Sequence, residues 1–222
     1  SMSLRRRGVG ILGVALVLGL ALAACGGSGY EYVSNDEAGI FFKVPDDWSV
    51  IDVDTDDGTL GRPGVPLDWV RVVDSSPVPT VTNYRTPVPT DPVGIAVVEP
   101  VETASQRDGL SLEMLRTYAL SGYVADADAP VDPLVLNQEA DGPLEMINGY
   151  DINLDGGFHG QRIVFELEIE SGEVVTIDQT ALVDPETTEV YRLLIKCEAH
   201  CYADRRAEID DIVDSWTIDQ ED

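Results

Sequence analysis

The last third of the chain constrains the fold most, because it contains three consecutive apolar-rich runs separated by short turns. The first run alternates apolar and polar side chains, which is typical of a strand with one buried face. Turns at Gly172 and Pro185 separate the runs, and short turns favour antiparallel neighbours. The runs cover residues 160–170, 174–183 and 189–195. The sequence therefore predicts an antiparallel meander, followed by a helix over residues 202–215 with apolar residues at helical spacing.

Shorter β-type runs precede the meander. They cover residues 30–34, 39–44, 48–51, 69–73 and 93–98. Residues 77–92 contain five prolines, which remove ladder donors, so we expect an extended and solvated loop inserted into one domain. Residues 111–121 have the spacing of a helix, with Asp108 or Ser111 as its cap. The acidic, proline-containing residues 126–143 predict a long connection.

These segments resemble the PsbP-like domains. The opening AGIFFKVPDDWSV, residues 38–50, resembles the first strand of that family, which runs into proline, acidic residues and tryptophan. The meander and the ending IDDIVDSWTI, residues 209–218, are similar to its closing strands and helix. The resemblance implies an α+β fold, an α/β/α sandwich in which helices flank a central antiparallel sheet. It implies a single domain over residues 30–218 and proteins that bind other proteins, often as extrinsic subunits of membrane complexes.

The N-terminus has the layout of an export signal. Arg5, Arg6 and Arg7 precede an apolar stretch that ends in Leu22-Ala23-Ala24-Cys25. This ending resembles a lipobox, which implies that residues 1–24 are removed and that Cys25 receives the lipid anchor, including a palmitate-type acyl chain. The alternative is a transmembrane helix, for which residues 8–24 are at the short end. The prediction is a lipoprotein on the extracytoplasmic face of the cell membrane.

The predicted anchor lies close to the domain. Residues 25–29 form the tether, and at about 3.5 Å per extended residue it spans under ~20 Å. We therefore expect the domain, and its partners, to lie at the lipid surface.

The charge excludes one class of partner. Removal of residues 1–24 takes away three arginines and no acid, so the net charge falls from −27 to −30. Nucleic acid and anionic lipid, which are both negatively charged, are repelled at this charge. A cationic protein surface and divalent cations remain open as partners. The densest acidic runs include residues 52–57 and the tail 219–222, which have the composition of a loop and a frayed end.

Two cysteines remain beside Cys25. Cys197 and Cys201 have three residues between them and lie where a predicted strand meets a predicted helix. An exported domain favours a disulfide. Zinc is the alternative, with His200 as a neighbouring ligand. A structural zinc site needs four ligands, and the other histidine in the chain is His159.

Motifs for chemistry are incomplete. Residues 151–156 fit the first half of a calcium loop, but Arg162 occupies the position of its closing glutamate. His159 lies in a glycine-rich turn and no nucleophile motif accompanies it. We expect no cofactor, no metal site and no enzymatic activity. Trp48 and Trp216 are expected in the core, whereas Trp69 is a candidate partner contact that we expect to be partly exposed.

Two functional hypotheses follow. The first is a non-catalytic surface lipoprotein that binds or stabilises a membrane protein complex. By analogy with the PsbP-like resemblance, it would be an accessory subunit of an energy-transducing complex. The alternative is an envelope module for a small ligand or a lipid, with the loops at 77–92 and 126–149 covering a cleft.

Overall fold

The computed structural model describes residues 29–55, 60, 66–118 and 144–218. The predicted signal at 1–24, the lipidated Cys25, the connection at 126–143 and the acidic tail at 219–222 lie outside the described residues, as does part of the acidic run at 52–57. No helix among the described residues is long and apolar enough to cross a membrane.

A seven-stranded antiparallel sheet forms the centre of the described fold, in the order β3-β4-β5-β9-β8-β7-β6. Its strands are β3 (Ser49–Asp52), β4 (Trp69–Asp74), β5 (Val93–Pro100), β6 (Leu144–Asn153), β7 (His159–Glu168), β8 (Val174–Val183) and β9 (Glu189–Glu198). Strands β7, β8 and β9 pair in sequence order. The predicted meander is therefore confirmed.

A second, smaller sheet contains three strands of the described chain. β1 (Tyr30–Asn35) and β10 (Thr217–Ile218) pair antiparallel with opposite edges of β2 (Ile40–Pro45). The inward-facing side chains of this sheet, such as Phe42 and Val44, are fully buried in the largest hydrophobic cluster. The small sheet therefore shares a hydrophobic cluster with the central sheet.

Helices pack on both faces of the central sheet. The bounds are α1 (Val81–Arg85), α2 (Ala104–Gly109), α3 (Leu112–Thr117) and α4 (Ala199–Asp214). Helix α4 buries Ile209, Ile212 and Val213, which lie on one helical stripe, against the face that carries Tyr191 and Leu193 of β9. We call this the α4 face. Helices α1 and α3 pack on the opposite α3 face. The predicted α+β class, with a central antiparallel sheet between helices, is confirmed.

The strand-to-helix corner contains the predicted disulfide. Cys197 ends β9, Cys201 lies in the first turn of α4, and a bond joins them with 6.0 Å between their Cα atoms. Both cysteines are buried in the cluster on the α4 face. The bridge therefore fixes how α4 leaves the sheet.

Two connections differ from the expectations. The proline-rich residues 77–92 are not simply solvated, because they contain α1 and are held to the sheet. Asp74 is fully buried and accepts hydrogen bonds from the Thr80 amide at 2.9 Å and the Asn83 side chain at 2.7 Å. The sequence also placed residues 144–149 in a loop, and this was wrong, because they belong to β6.

Candidate interaction surface

Strand β6 forms one edge of the central sheet. It is ten residues long and pairs with β7 along one side, while no strand among the described residues pairs with its other side. An unpaired edge presents backbone donors and acceptors to a partner strand. This edge is therefore available for pairing within the described part of the protein.

Apolar side chains are exposed along this edge, with Met146 and Tyr150 on opposite faces of the sheet. Met146, Ile147 and Tyr150 are 56%, 46% and 47% exposed, and they make up three of the six large hydrophobic side chains that are exposed in the described chain. The register shifts between Met146 and Asn148, so Ile147 occupies a β-bulge. Bulges redirect side chains and disrupt regular pairing. We call residues 146–150 the edge patch.

The ends of β6 are fixed although its middle is exposed. Ile152 packs against the cluster on the α4 face, and Leu144 packs against the cluster on the opposite face. Tyr150 is also paired with Arg162 across the two strands, and its side chain contributes to the raised pKa of Arg162. The edge patch is therefore held against β7 while its apolar atoms remain exposed.

Arg162 is the centre of a buried polar network between β7, β8 and α4. Its Nε donates to Asp178 Oδ1 at 3.0 Å, and its Nη2 donates to Asp178 Oδ2 at 2.6 Å and to Asp210 Oδ1. Tyr202 of α4 donates to the same Asp178 carboxylate at 2.7 Å. Burial alone lowers the pKa of Arg162, but the hydrogen bonds and charge of Asp178 outweigh it and raise that pKa. Arg162 therefore stays charged and ties the sheet to α4.

A second buried ion pair lies on the α3 face. Arg192 Nη2 donates to Glu99 Oε1 at 2.8 Å, and both side chains are almost inaccessible to solvent. Nearby, the Lys196 ammonium donates to the Thr86 carbonyl at 3.0 Å and lies 5.1 Å from the Tyr84 ring centroid. Burial lowers the pKa of Lys196 to about 8. These cations hold the proline-rich segment and β5 to the meander.

Two glutamines dock α3 on the same face. The Gln179 amide donates to the Leu115 carbonyl at 2.7 Å, and the Gln161 amide donates to the Leu112 carbonyl. Ser111 caps the helix, as predicted, because its hydroxyl accepts from the Met114 amide at 3.1 Å. These bonds fix α3 through backbone groups rather than through a reactive side chain.

The residues predicted from the sequence lie apart from this surface. Cys197 and Cys201 are bonded to each other, so their thiolates are not free to bind zinc, and the His200 side chain is 83% exposed beside Asp204. No group of three His, Cys, Asp or Glu side chains in the described part of the chain could hold a metal ion. The zinc alternative therefore has no support in the described residues.

The expected exposure of Trp69 was wrong. Its side chain is 7% exposed and packs in the cluster on the α4 face, with the Arg71 guanidinium 5.2 Å from its ring centroid. Trp69 follows a proline-containing segment, which suggested that its side chain would be exposed. Instead it is the first residue of β4 and points inward. Trp48 and Trp216 are buried, as expected.

Sequence reasoning missed the edge patch. The segment LEMINGYDIN follows an acidic, proline-containing stretch, and its bulge interrupts the alternation that would indicate a strand. The available signal was the apolar spacing of Leu144 and Met146 around Glu145.

Comparison with known proteins gives structural likenesses only. No family model matches the sequence, and no curated protein matches it. The solution structure of cyanobacterial PsbP (CyanoP) from Synechocystis sp. PCC 6803 is 13% identical, with a TM-score of 0.47, over 89% of this chain and 99% of that one. CyanoP is thus among the solved structures to which this chain is similar.

Two further solved structures have a similar arrangement. LpqN, involved in cell envelope biogenesis of Mycobacterium tuberculosis, is 15% identical, with a TM-score of 0.47, over 86% of this chain and 91% of that one. The Saccharomyces cerevisiae Ran-binding protein Mog1p is 11% identical, with a TM-score of 0.41, over 85% of this chain and 95% of that one. At these identities no residue role or activity passes from them to this chain.

Proposed function

We propose that this protein is a non-catalytic lipoprotein, anchored through Cys25 on the extracytoplasmic face of the membrane, that binds a membrane protein complex. The finer proposal is that it acts as an extrinsic accessory subunit of an energy-transducing complex, which rests on fold analogy. The edge patch is the observation that carries the binding role.

The edge patch has the properties of a protein contact. Its apolar side chains are exposed on a ten-residue strand whose outer side is unpaired among the described residues. A strand from a partner can add to such an edge through main-chain hydrogen bonds, while exposed side chains supply specificity. Monomeric proteins normally protect a long apolar edge, because it promotes association. A partner that covers residues 146–150 would meet this requirement.

Buried carboxylates stabilise the scaffold that carries the edge patch. Asp178 accepts hydrogen bonds from side chains of β7 and α4. Glu99 accepts a hydrogen bond from Arg192, and Asp74 accepts hydrogen bonds from amide groups of the proline-rich segment. Each of these carboxylates is fixed by hydrogen bonds that join separate elements. Such bonds hold a rigid frame behind the edge patch.

Site-specific crosslinking tests the proposal. A photoreactive phenylalanine analogue replaces Ile147 in the full chain with a C-terminal tag, and the same analogue replaces Val78, which is 73% exposed elsewhere, as the matched control. Illumination of native membranes should give a crosslinked membrane protein from position 147 and not from position 78. Recovery of uncrosslinked protein alone, or the same adducts from both positions, would contradict the proposal.

One observation favours the second candidate, a small-ligand module. Gln179 Oε1 and Arg192 Nε lie on the α3 face, are buried, and have no hydrogen-bond partner among the described residues. Buried polar atoms normally find a partner, so a bound polar ligand would satisfy them. Native mass spectrometry of the purified protein would show a retained ligand mass. A clean ligand-free mass from freshly purified protein would count against this candidate.

A further inference from the structure

The small sheet presents an outer face that is aromatic and lacks carboxylates. The inward residues Val33, Ile40, Phe42 and Val44 are buried, so the alternating side chains point outward. The outward set is Tyr30, Tyr32, Ser34, Phe41, Lys43 and Thr217. We call this set the outer face. It contains no acid in a chain with 41 acidic and 14 basic residues.

An exposed ring pair lies at its centre. Tyr32 and Phe41 are 57% and 41% exposed, and their ring centroids are 5.5 Å apart in a stacked arrangement. The Lys43 ammonium lies 4.2 Å from the Tyr30 ring centroid, and the Tyr30 hydroxyl donates to Asp211 Oδ2 of α4 at 3.2 Å. The face therefore combines a large apolar area with a cation and a phenol at its margin, where the phenol meets the Asp211 carboxylate of α4.

The proposed lipid anchor on Cys25 would place the outer face close to the membrane surface. Four residues, 26–29, separate Cys25 from Tyr30, the first residue of β1, so the tether spans under ~20 Å even when extended. A lipid chain on Cys25 would hold this end of β1 near the headgroups. Tyrosine and lysine are residues that settle at a membrane interface, with the ring partly inserted and the ammonium among the headgroups. The rest of the chain is strongly acidic and is repelled from anionic lipid.

We propose that the outer face of the small sheet lies on the phospholipid surface, with Tyr32 and Phe41 inserted at the boundary between headgroups and acyl chains. This inference rests on the proposed lipid anchor and deepens it by fixing the orientation of the domain. A lipid anchor holds the domain at the membrane without fixing which face meets it, and contact through the outer face would fix that orientation. The edge patch is not part of the outer face and stays available to a partner.

Tryptophan reporters test the orientation. Phe41→Trp reports the outer face, and Thr217→Trp, directly across from it on β10, reports the same face if the first variant folds poorly. Val78→Trp is the matched control on the opposite side of the central sheet. Each lipidated full chain is reconstituted into phosphatidylcholine vesicles, with or without bromine near the top of the acyl chains. Emission of the wild-type chain, whose three tryptophans are buried, is subtracted.

The expected result is a blue shift and quenching by about half for Phe41→Trp or Thr217→Trp in brominated vesicles, and neither change for Val78→Trp. Co-sedimentation with vesicles but equal emission at all three positions would overturn the inference and leave the anchor standing. Failure to co-sediment would overturn the anchor and, with it, the inference. A shift that occurs in native membranes and not in pure lipid would make the outer face a protein contact, which also overturns the inference.

Discussion

Arg162 on β7 and Asp178 on β8 form a two-point ion pair beneath α4, with 3.0 Å between Nε and Oδ1 and 2.6 Å between Nη2 and Oδ2. The Asp178 side chain is fully buried, and that of Arg162 is 8% exposed. The same guanidinium bonds to Asp210 of α4, and Arg162 is paired across the strands with Tyr150 of the edge patch. One side chain therefore links the sheet, its covering helix and the proposed partner surface.

Arg162→Met should lower the free energy of unfolding by about 3 kcal/mol, because it leaves the buried Asp178 carboxylate without its counterion. Denaturant titration measures this. Arg206→Met is the matched control, since Arg206 is 59% exposed and 3.6 Å from Asp210, and it should cost less than ~0.5 kcal/mol. The double variant Arg162→Met/Asp178→Leu should recover part of the loss. A double variant that is as unstable as the single variants combined would contradict a coupled pair.

The Cys197–Cys201 bond should be complete in protein purified without reductant. Thiol labelling after denaturation should find neither cysteine free. The closed loop is short, so the chain-entropy contribution is about 2 kcal/mol, and reduction should lower Tm by a few degrees. The Cys197→Ala/Cys201→Ala variant controls for the effect of reductant itself, because its Tm should not change when reductant is added. Quantitative labelling of both thiols would show that the bridge is absent.

The sequence predicted the strands that alternate cleanly and the helices with a regular apolar stripe. Residues 160–168 and 189–195 are examples, because the side chains on one face of each strand are mostly apolar. The burial of Arg162 could not be predicted in this way. It occupies a polar position of an alternating strand, which normally faces water, and only the packing of α4 onto that face buries it.

The functional surfaces were harder to predict than the fold, for two reasons. The bulge at Ile147 breaks the two-residue period of β6, so residues 144–149 were mistaken for a loop. Exposure is also a tertiary property: Trp69 has the local sequence of a loop-edge residue but points into the core, whereas Phe41, within a strongly apolar run, points outward. The alternation of residues in the sequence assigns a side chain to one face of a strand. Whether that face is buried depends on which helix or sheet packs against it.

Gly160→Ala should destabilise the protein by about 2–3 kcal/mol. A Cβ atom at this position would lie 1.9 Å from the backbone oxygen of Ala181 on the neighbouring strand, so β7 and β8 would have to move apart. Gly149→Ala is the matched control, because its nearest contacts are at 3.6 Å, and it should change the unfolding free energy by less than ~0.5 kcal/mol. Thermal and denaturant unfolding measure both. Equal stabilities of the two variants would mean that β7 and β8 are not in such close contact there.

Lys196 should make the protein more stable as the pH rises above 8. Burial lowers its pKa from the ordinary 10.5 to about 8, so between these values the unfolded chain binds more protons than the folded one. The unfolding free energy therefore gains a positive slope in this window. Between pH 8 and about 9.5 the gain from this one group should be on the order of 1 kcal/mol.

Denaturant titrations of wild type and Lys196→Met at matched pH values measure the effect, and the slope should be smaller in the variant. Measurements stop below pH 10 because burial raises the pKa of Tyr84 and Tyr202. Those phenols ionise first in the unfolded chain and reduce stability at higher pH. Lys43→Met makes the same substitution at the other lysine of the chain. An equal loss of slope in that control, or an unchanged slope in Lys196→Met, would contradict the assignment to a buried ammonium at Lys196.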